Sequence, residues 1–308
     1  MKKWFVLFTI LPLLLLTACS NESSSANNEN EKLKVTTTIA QIADGVNNIG
    51  GEMVEVQSLM GPGTDPHLYK ATQSDIAKLQ DADMIFYNGL NLEGKMHDIL
   101  DKMNDQKPTY AISESIKEED LLDDEDDKNA VDPHVWFDID LWKHALEEVK
   151  SGLIEADPAN KEYYEKNADE YFKKLDDLKV YASEQLKTIP EDQRVLVTAH
   201  DAFGYFGAAY EMEVLGLQGL STDAEYGLGD VQHLVDTLVN REIKAVFVES
   251  SISERSINAV IEGAQQKGHE VGIGGELYSD AMGEEGTEEG TYIGMYKHNI
   301  DTVTKALK

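Results

Sequence analysis

The chain has 308 residues, 41% of them hydrophobic and 28% charged, with a formal net charge of −31. So acidic a balance argues against a nucleic-acid binder, whose phosphate contacts need basic patches, and leaves only a weak general pull on cations. The length suffices for two modest lobes or one large domain, and a lone cysteine, Cys19, excludes both an internal disulfide and a thiolate metal site.

Lys2 and Lys3 precede an apolar run over residues 4–16, interrupted only by Thr9 and Pro12. The run is too short for a membrane span and right for a secretory signal. Leu16-Thr17-Ala18-Cys19 resembles the lipobox of bacterial lipoproteins, in which the cysteine becomes the lipidated first residue of the mature chain. An incidental cysteine after an ordinary signal is the plainer alternative. Residues 1–18 are expected as a lipoprotein signal peptide. Residues 19–32, polar and poor in apolar side chains, read as a flexible tether after lipidated Cys19.

Strand and helix then alternate. A strand over 34–38 leads into a helix over 39–49 with a Gly50-Gly51 stop. A strand over 54–60 runs into the turn Gly61-Pro62-Gly63. A helix over 73–81 precedes an apolar strand at 84–87, and a helix over 92–103 precedes a short strand at 109–112. This order predicts a parallel, doubly wound lobe, 33–156. Residues 141–186 read as helical, broken at Asp157-Pro158, where Asp157 would cap and Pro158 would occupy the first helical position. Beyond it, Tyr164, Ala168, Tyr171, Leu175, Leu178, Ala182 and Leu186 recur at steps of four and three, one apolar stripe. A helix over 157–188 would be about 48 Å long at 1.5 Å per residue. That exceeds a small lobe, so 157–189 is expected to link two lobes. Strands at 195–198, 213–218, 245–248 and 270–273 then alternate with helices at 202–210, 228–241, 253–267 and 292–307, a second α/β lobe over 190–308.

The chemistry gathers at a repeated tripeptide, Asp65-Pro66-His67 and Asp132-Pro133-His134, joined by His200 in VTAHDAF and Asp280 in LYSDAM. Each proline pushes its neighbourhood toward extended or turn geometry. Ligands of open α/β sheets bind beyond the carboxyl ends of strands, where these four residues fall, two per lobe. Three imidazoles and one carboxylate would make a closed four-ligand site for a divalent transition metal at the lobe interface. Taken singly, each has a duller reading: the first two histidines as loop residues or caps, His200 as a cap, Asp280 as an N-cap or surface acid. Glu249, in VFVESS, is expected at the floor of the cleft, accepting a hydrogen bond from a ligand imidazole. A direct ligand or a structural partner of a Lys or Arg are its alternatives. His97, His144, His233, His269 and His298 read as structural or exposed. The acidic run 123–127 lacks the spacing of a calcium loop and reads as solvated.

The motifs GPGTDPHLYKAT, DPHVWFD, VTAHDAFGYF, LYSDAMG and VFVESS resemble those of the cluster A-I solute-binding proteins of ABC transporters. The nearest resemblance is to the manganese-binding lipoproteins of Gram-positive bacteria. It spans essentially the whole chain and implies His67, His134, His200 and Asp280 as ligands. It further implies two (β/α) lobes with mostly parallel sheets, joined by a long rigid helix, with one divalent metal in the interlobe cleft. Expected with it are a monomer held by lipid on Cys19 at the extracellular face of the cytoplasmic membrane, and delivery of the ion to an ABC permease. Some manganese members have glutamate where this chain has His200, and a shell of three imidazoles and one aspartate suits zinc by softness. Many zinc-specific relatives carry a histidine-rich loop before the second ligand, whereas residues 118–132 here are acidic and hold none. Manganese is therefore the favoured ion and zinc the alternative, with bidentate Asp280 able to raise the coordination number. An extracellular metallohydrolase is disfavoured, because four protein ligands leave no position for water and no HExxH helix is present. No repeat or exposed aromatic patch argues for an adhesin.

Overall fold

The computed structural model describes residue 1 and residues 32–123, 130–223 and 226–308. The signal segment, Cys19, all but the last residue of the tether and most of the acidic run 123–127 lie outside the described residues. The first half builds β1 (Leu33–Thr37), α1 (Ala40–Gly50), β2 (Val54–Ser58), α2 (Gln73–Asp81), β3 (Met84–Tyr87), α3 (His97–Asn104) and β4 (Thr109–Ala111). Its four strands are all parallel in the order β2-β1-β3-β4, with Val35 of β1 facing Val56 on one side and Met84 on the other. α1 stops where Gly51 turns to φ 54°, a left-handed conformation that favours glycine. α2 opens on a capping box between Thr72 and Asp75. α3 starts later than the hydrophobic pattern suggests. Gly89, Leu90 and Asn91 take φ of 83°, 52° and 63° in succession, so only a 3₁₀ turn, Gly94–Met96, precedes it.

Two helices follow, α4 (Ile139–Ala156) and α5 (Lys161–Leu186). Proline does restart the chain, but as a 3₁₀ turn, Pro158–Asn160, and the long helix proper is 26 residues, about 39 Å. The Asp157 carboxylate accepts from the Asn160 amide (2.6 Å) and the Tyr164 hydroxyl (2.8 Å) rather than from the backbone of the first turn. All seven residues of the apolar stripe are buried.

The second half comprises β5 (Val195–His200), α6 (Gly204–Tyr210), β6 (Glu213–Gln218), α7 (Leu228–Asn240), β7 (Ala245–Glu249), α8 (Arg255–Gln266), β8 (Gly272–Leu277) and α9 (Tyr292–Leu307). β5 pairs with β6 and β7 with β8, both parallel, and β5 runs beside β7. The last strand lies further along than residue preference suggests. Three of its six residues are glycine, which weakens a strand in isolation. Here a Cβ at Gly274 would come within 2.7 Å of the Phe247 ring and 2.9 Å of Ala306, so packing requires the bare backbone.

The fold is α/β, two parallel-sheeted halves bridged by α5. That helix packs on α1 and α4 of the first half and on α6 and α9 of the second. Tyr171 bonds Asp44 of α1 (2.6 Å), and Tyr181 bonds Asp301 of α9 (2.5 Å). One hydrophobic core runs from β1 through α5 to α9, and a smaller one lies between β5, β7, α7 and α8. Leu175→Ala, at a fully buried site in the stripe, is expected to cost about 2–5 kcal/mol in urea unfolding. Val180→Ala on the same helix, at 57% exposure, should change stability by no more than about 0.5 kcal/mol.

Candidate metal centre

Each donor is delivered by a strand end or a tight loop. His67 sits in the loop after β2, its amide donating to the Asp65 carboxylate (2.9 Å). His134 repeats that turn, its amide donating to Asp132 (2.8 Å) just before a 3₁₀ turn, Val135–Phe137. His200 is the last residue of β5, which runs two residues further than the expected strand over 195–198. The strand stays extended because the Ala199 and His200 amides both donate to Glu249 Oε1, at 2.8 and 2.9 Å. Asp280 lies three residues past β8. Its backbone carbonyl accepts from the Gln41 amide of α1 (3.0 Å), and the neighbouring Ser279 carbonyl accepts from the Trp136 indole (3.2 Å).

The four side chains converge. One donor atom from each of His67, His134, His200 and Asp280 lies within 4.8 Å of the others, and none of the residues is more than 4% exposed. His67 Nε2 lies 3.3 Å from His134 Nε2. Asp280 Oδ1 is 3.3 Å from His134 Nε2, and Oδ2 is 3.3 Å from His200 Nε2 and 3.8 Å from His67 Nε2. A tetrahedral ion with bonds of about 2.0–2.1 Å would space its donors about 3.3–3.4 Å apart. Both Asp280 oxygens and His200 Nε2 are buried without an aligned hydrogen-bond partner, which buried polar groups rarely tolerate. The donor set and its spacing fit one small divalent cation.

Two carboxylates contact the far nitrogens of the imidazoles. Glu249 Oε2 lies 2.6 Å from His200 Nδ1. Asp132 Oδ1 lies 2.7 Å from His134 Nδ1, a role the sequence reading missed. The repeat itself carried the signal, since an aspartate two residues before a ligand histidine can reach both its amide and its ring. In both cases the carboxylate meets Nδ1, and Nε2 lies on the side of the cluster.

Burial and neighbouring charge pull the titration of these groups in opposite directions. Burial alone would lower the pKa of His134, but Asp132 and Asp280 lift it to about 9. Burial is likewise outweighed at His200, where Glu249 and Asp280 hold it well above the usual imidazole value. Burial would raise Asp280, yet the surrounding imidazoles keep it well below the usual carboxylate range. His67 goes the other way, down to about 3, because burial disfavours its charge. The remaining described histidines stay out of the site. His97 pairs with Asp101 on the surface, and His144, His269 and His298 each meet a backbone carbonyl.

Residues 35–306 match the family described as zinc-uptake complex component A, periplasmic. The chain belongs to this family. Among its relatives is the manganese-binding lipoprotein MntA of Bacillus subtilis, 53% identical over the full length of both. Another is the zinc-binding protein TroA of Treponema pallidum, 44% identical over 97% of this chain and 96% of that one. A solved structure of the periplasmic zinc-binding protein TroA from Treponema pallidum superposes with a TM-score of 0.88, covering 90% of this chain and 99% of that one at 45% identity.

A metal needs neutral imidazoles, whereas His134 and His200 keep their protons at neutral pH. Calorimetric titration at pH 7 in buffers of differing ionisation enthalpy should therefore register release of about two protons per ion bound. Because the raised pKa values favour the protonated, metal-free form, affinity should rise with pH toward about 9 and fall steadily below it. Binding without proton release would contradict this arrangement.

Proposed function

We propose that this chain captures a divalent transition metal outside the cell, Mn2+ in preference to Zn2+, and hands it to an ABC permease for import. The observation that carries the proposal is the buried convergence of three imidazole nitrogens and one carboxylate, in which both Asp280 oxygens and His200 Nε2 have no aligned hydrogen-bond partner. His67, His134, His200 and Asp280 are the ligands in this reading, and Asp132 and Glu249 orient two of the rings. The chain works as a lobe over 33–156, a linking helix over 157–189 and a lobe over 190–308. It acts as a monomer, tethered through lipid on Cys19 to the extracellular face of the membrane of a Gram-positive bacterium.

The reading excludes an enzyme. A catalytic metal keeps one coordination position for water, whereas four protein residues here close around the ion. Manganese is preferred because both Asp280 oxygens face the site, which supplies a hard oxygen pair and more than four donors. The 53% identity to a relative named for manganese points the same way. Zinc is the second reading, favoured by the three imidazoles and by the 44% identity to a relative named for zinc.

The test is elemental mass spectrometry of metal-limited cells with and without the gene. Loss of the gene should selectively lower cell manganese, and the wild-type gene should restore it where an Asp280→Ala version does not. A selective fall in zinc would transfer the reading to zinc, and unchanged metals in cells without another importer would overturn it. In the purified protein, Glu249→Gln should weaken metal binding about 10- to 100-fold, and His134→Ala by more. Near-normal affinity in His134→Ala would remove that residue from the site.

A further inference from the structure

The two copies of Asp-Pro-His start alike and end differently. In each, one aspartate oxygen takes the amide of the histidine two residues on, at 2.9 Å for Asp65 and 2.8 Å for Asp132. Asp132 then holds the ring of its own histidine. Asp65 does not. Its second oxygen accepts the hydroxyl of Thr222, at 2.6 Å, from the loop after β6 in the opposite half of the molecule. Among the described residues no carboxylate bonds Nδ1 of His67, so this imidazole lacks the anchor that His134 and His200 possess.

The loop that supplies Thr222 is shaped for the contact. The Gln218 amide donates to the Thr222 carbonyl (3.3 Å), and the Asp223 amide donates to Ser221 Oγ (3.2 Å). The next side chain, Asp223, meets Lys95 of the first half at 2.7 Å. Two adjacent residues of one loop thus grip the first half, one on the His67 loop and one at the surface. The surface pair is more than one-third exposed on both partners and contributes little. Thr222 is only 9% exposed and Asp65 is partly buried, so this charge-assisted bond is better shielded than the surface pair.

We propose that Thr222 is a positioning residue for His67. Its bond to Asp65 holds the least anchored imidazole in the site from across the cleft and thereby sets how fast the cation leaves. His67 is the ligand that lets go first, and it can do so only once the Asp65–Thr222 bond opens. Asp132 and Glu249 keep the other two rings in place meanwhile. The inference rests on the cargo site proposed above.

The test uses the full chain loaded with Mn2+ and mixed rapidly with an excess of a colorimetric chelator. Thr222→Val keeps the shape and removes the hydroxyl, and should release the ion about tenfold faster. Thr222→Ser should restore a rate close to wild type, and Lys95→Ala should change it less than twofold. The melting temperature of Thr222→Val without metal should fall modestly, because the bond forms without the ion, whereas Leu175→Ala, destabilised at least as much within the α5 stripe, should release the ion at close to the wild-type rate. Release within twofold of wild type in Thr222→Val, or no rescue by serine, would overturn the inference. So would equally fast release from Leu175→Ala. A wild-type chain that takes up neither Mn2+ nor Zn2+ would instead strike the cargo reading itself, so the two failures are distinguishable.

Discussion

The constraint on which the structure depends is the burial of lone pairs that no protein group can satisfy. Three imidazoles and a carboxylate within 4.8 Å of one another, all removed from water, are an unfavourable arrangement unless a cation or protons occupy the space between them. The charges in the cluster lean that way, raising the imidazoles of His134 and His200 and depressing the Asp280 carboxyl.

Such a site needs supports that do not yield, and they come from both halves. The Asp132–Phe137 segment is hydrogen-bonded by three tyrosines of the second half. Tyr205 donates to the Asp132 carbonyl (3.0 Å), Tyr292 to Trp136 (2.6 Å) and Tyr296 to Phe137 (2.7 Å). Gln41 of α1 returns the favour at the Asp280 carbonyl. With α5 packed on helices of both halves and one core running through all of them, a wide hinge opening would break a great deal at once.

Much of this was legible in the residues. Period-two and period-3.6 patterns located the strands and helices, and the seven-residue stripe of α5 is buried as its spacing implies. All four converging side chains were visible as a repeated tripeptide and two later singletons. What escaped was set by tertiary contact. The glycine-rich β8 is a strand because Phe247 and Ala306 fill the space where side chains would stand. β5 reaches His200 because a carboxylate 49 residues away holds its last amides. Thr222 was missed for a related reason. A side chain that acts through a hydrogen bond to a loop has no periodicity, and only the fold reveals its partner.

Trp136 adds a property of another kind. Its ring is fully buried, stands edge-on to His134 with centroids 5.3 Å apart, and donates its indole hydrogen to the carbonyl beside Asp280. An indole so placed feels any change of charge on its neighbour, and its emission depends on the local field. The chain therefore carries its own optical gauge of occupancy, rigidly mounted and shielded from solvent, that reads the state of the centre without a label.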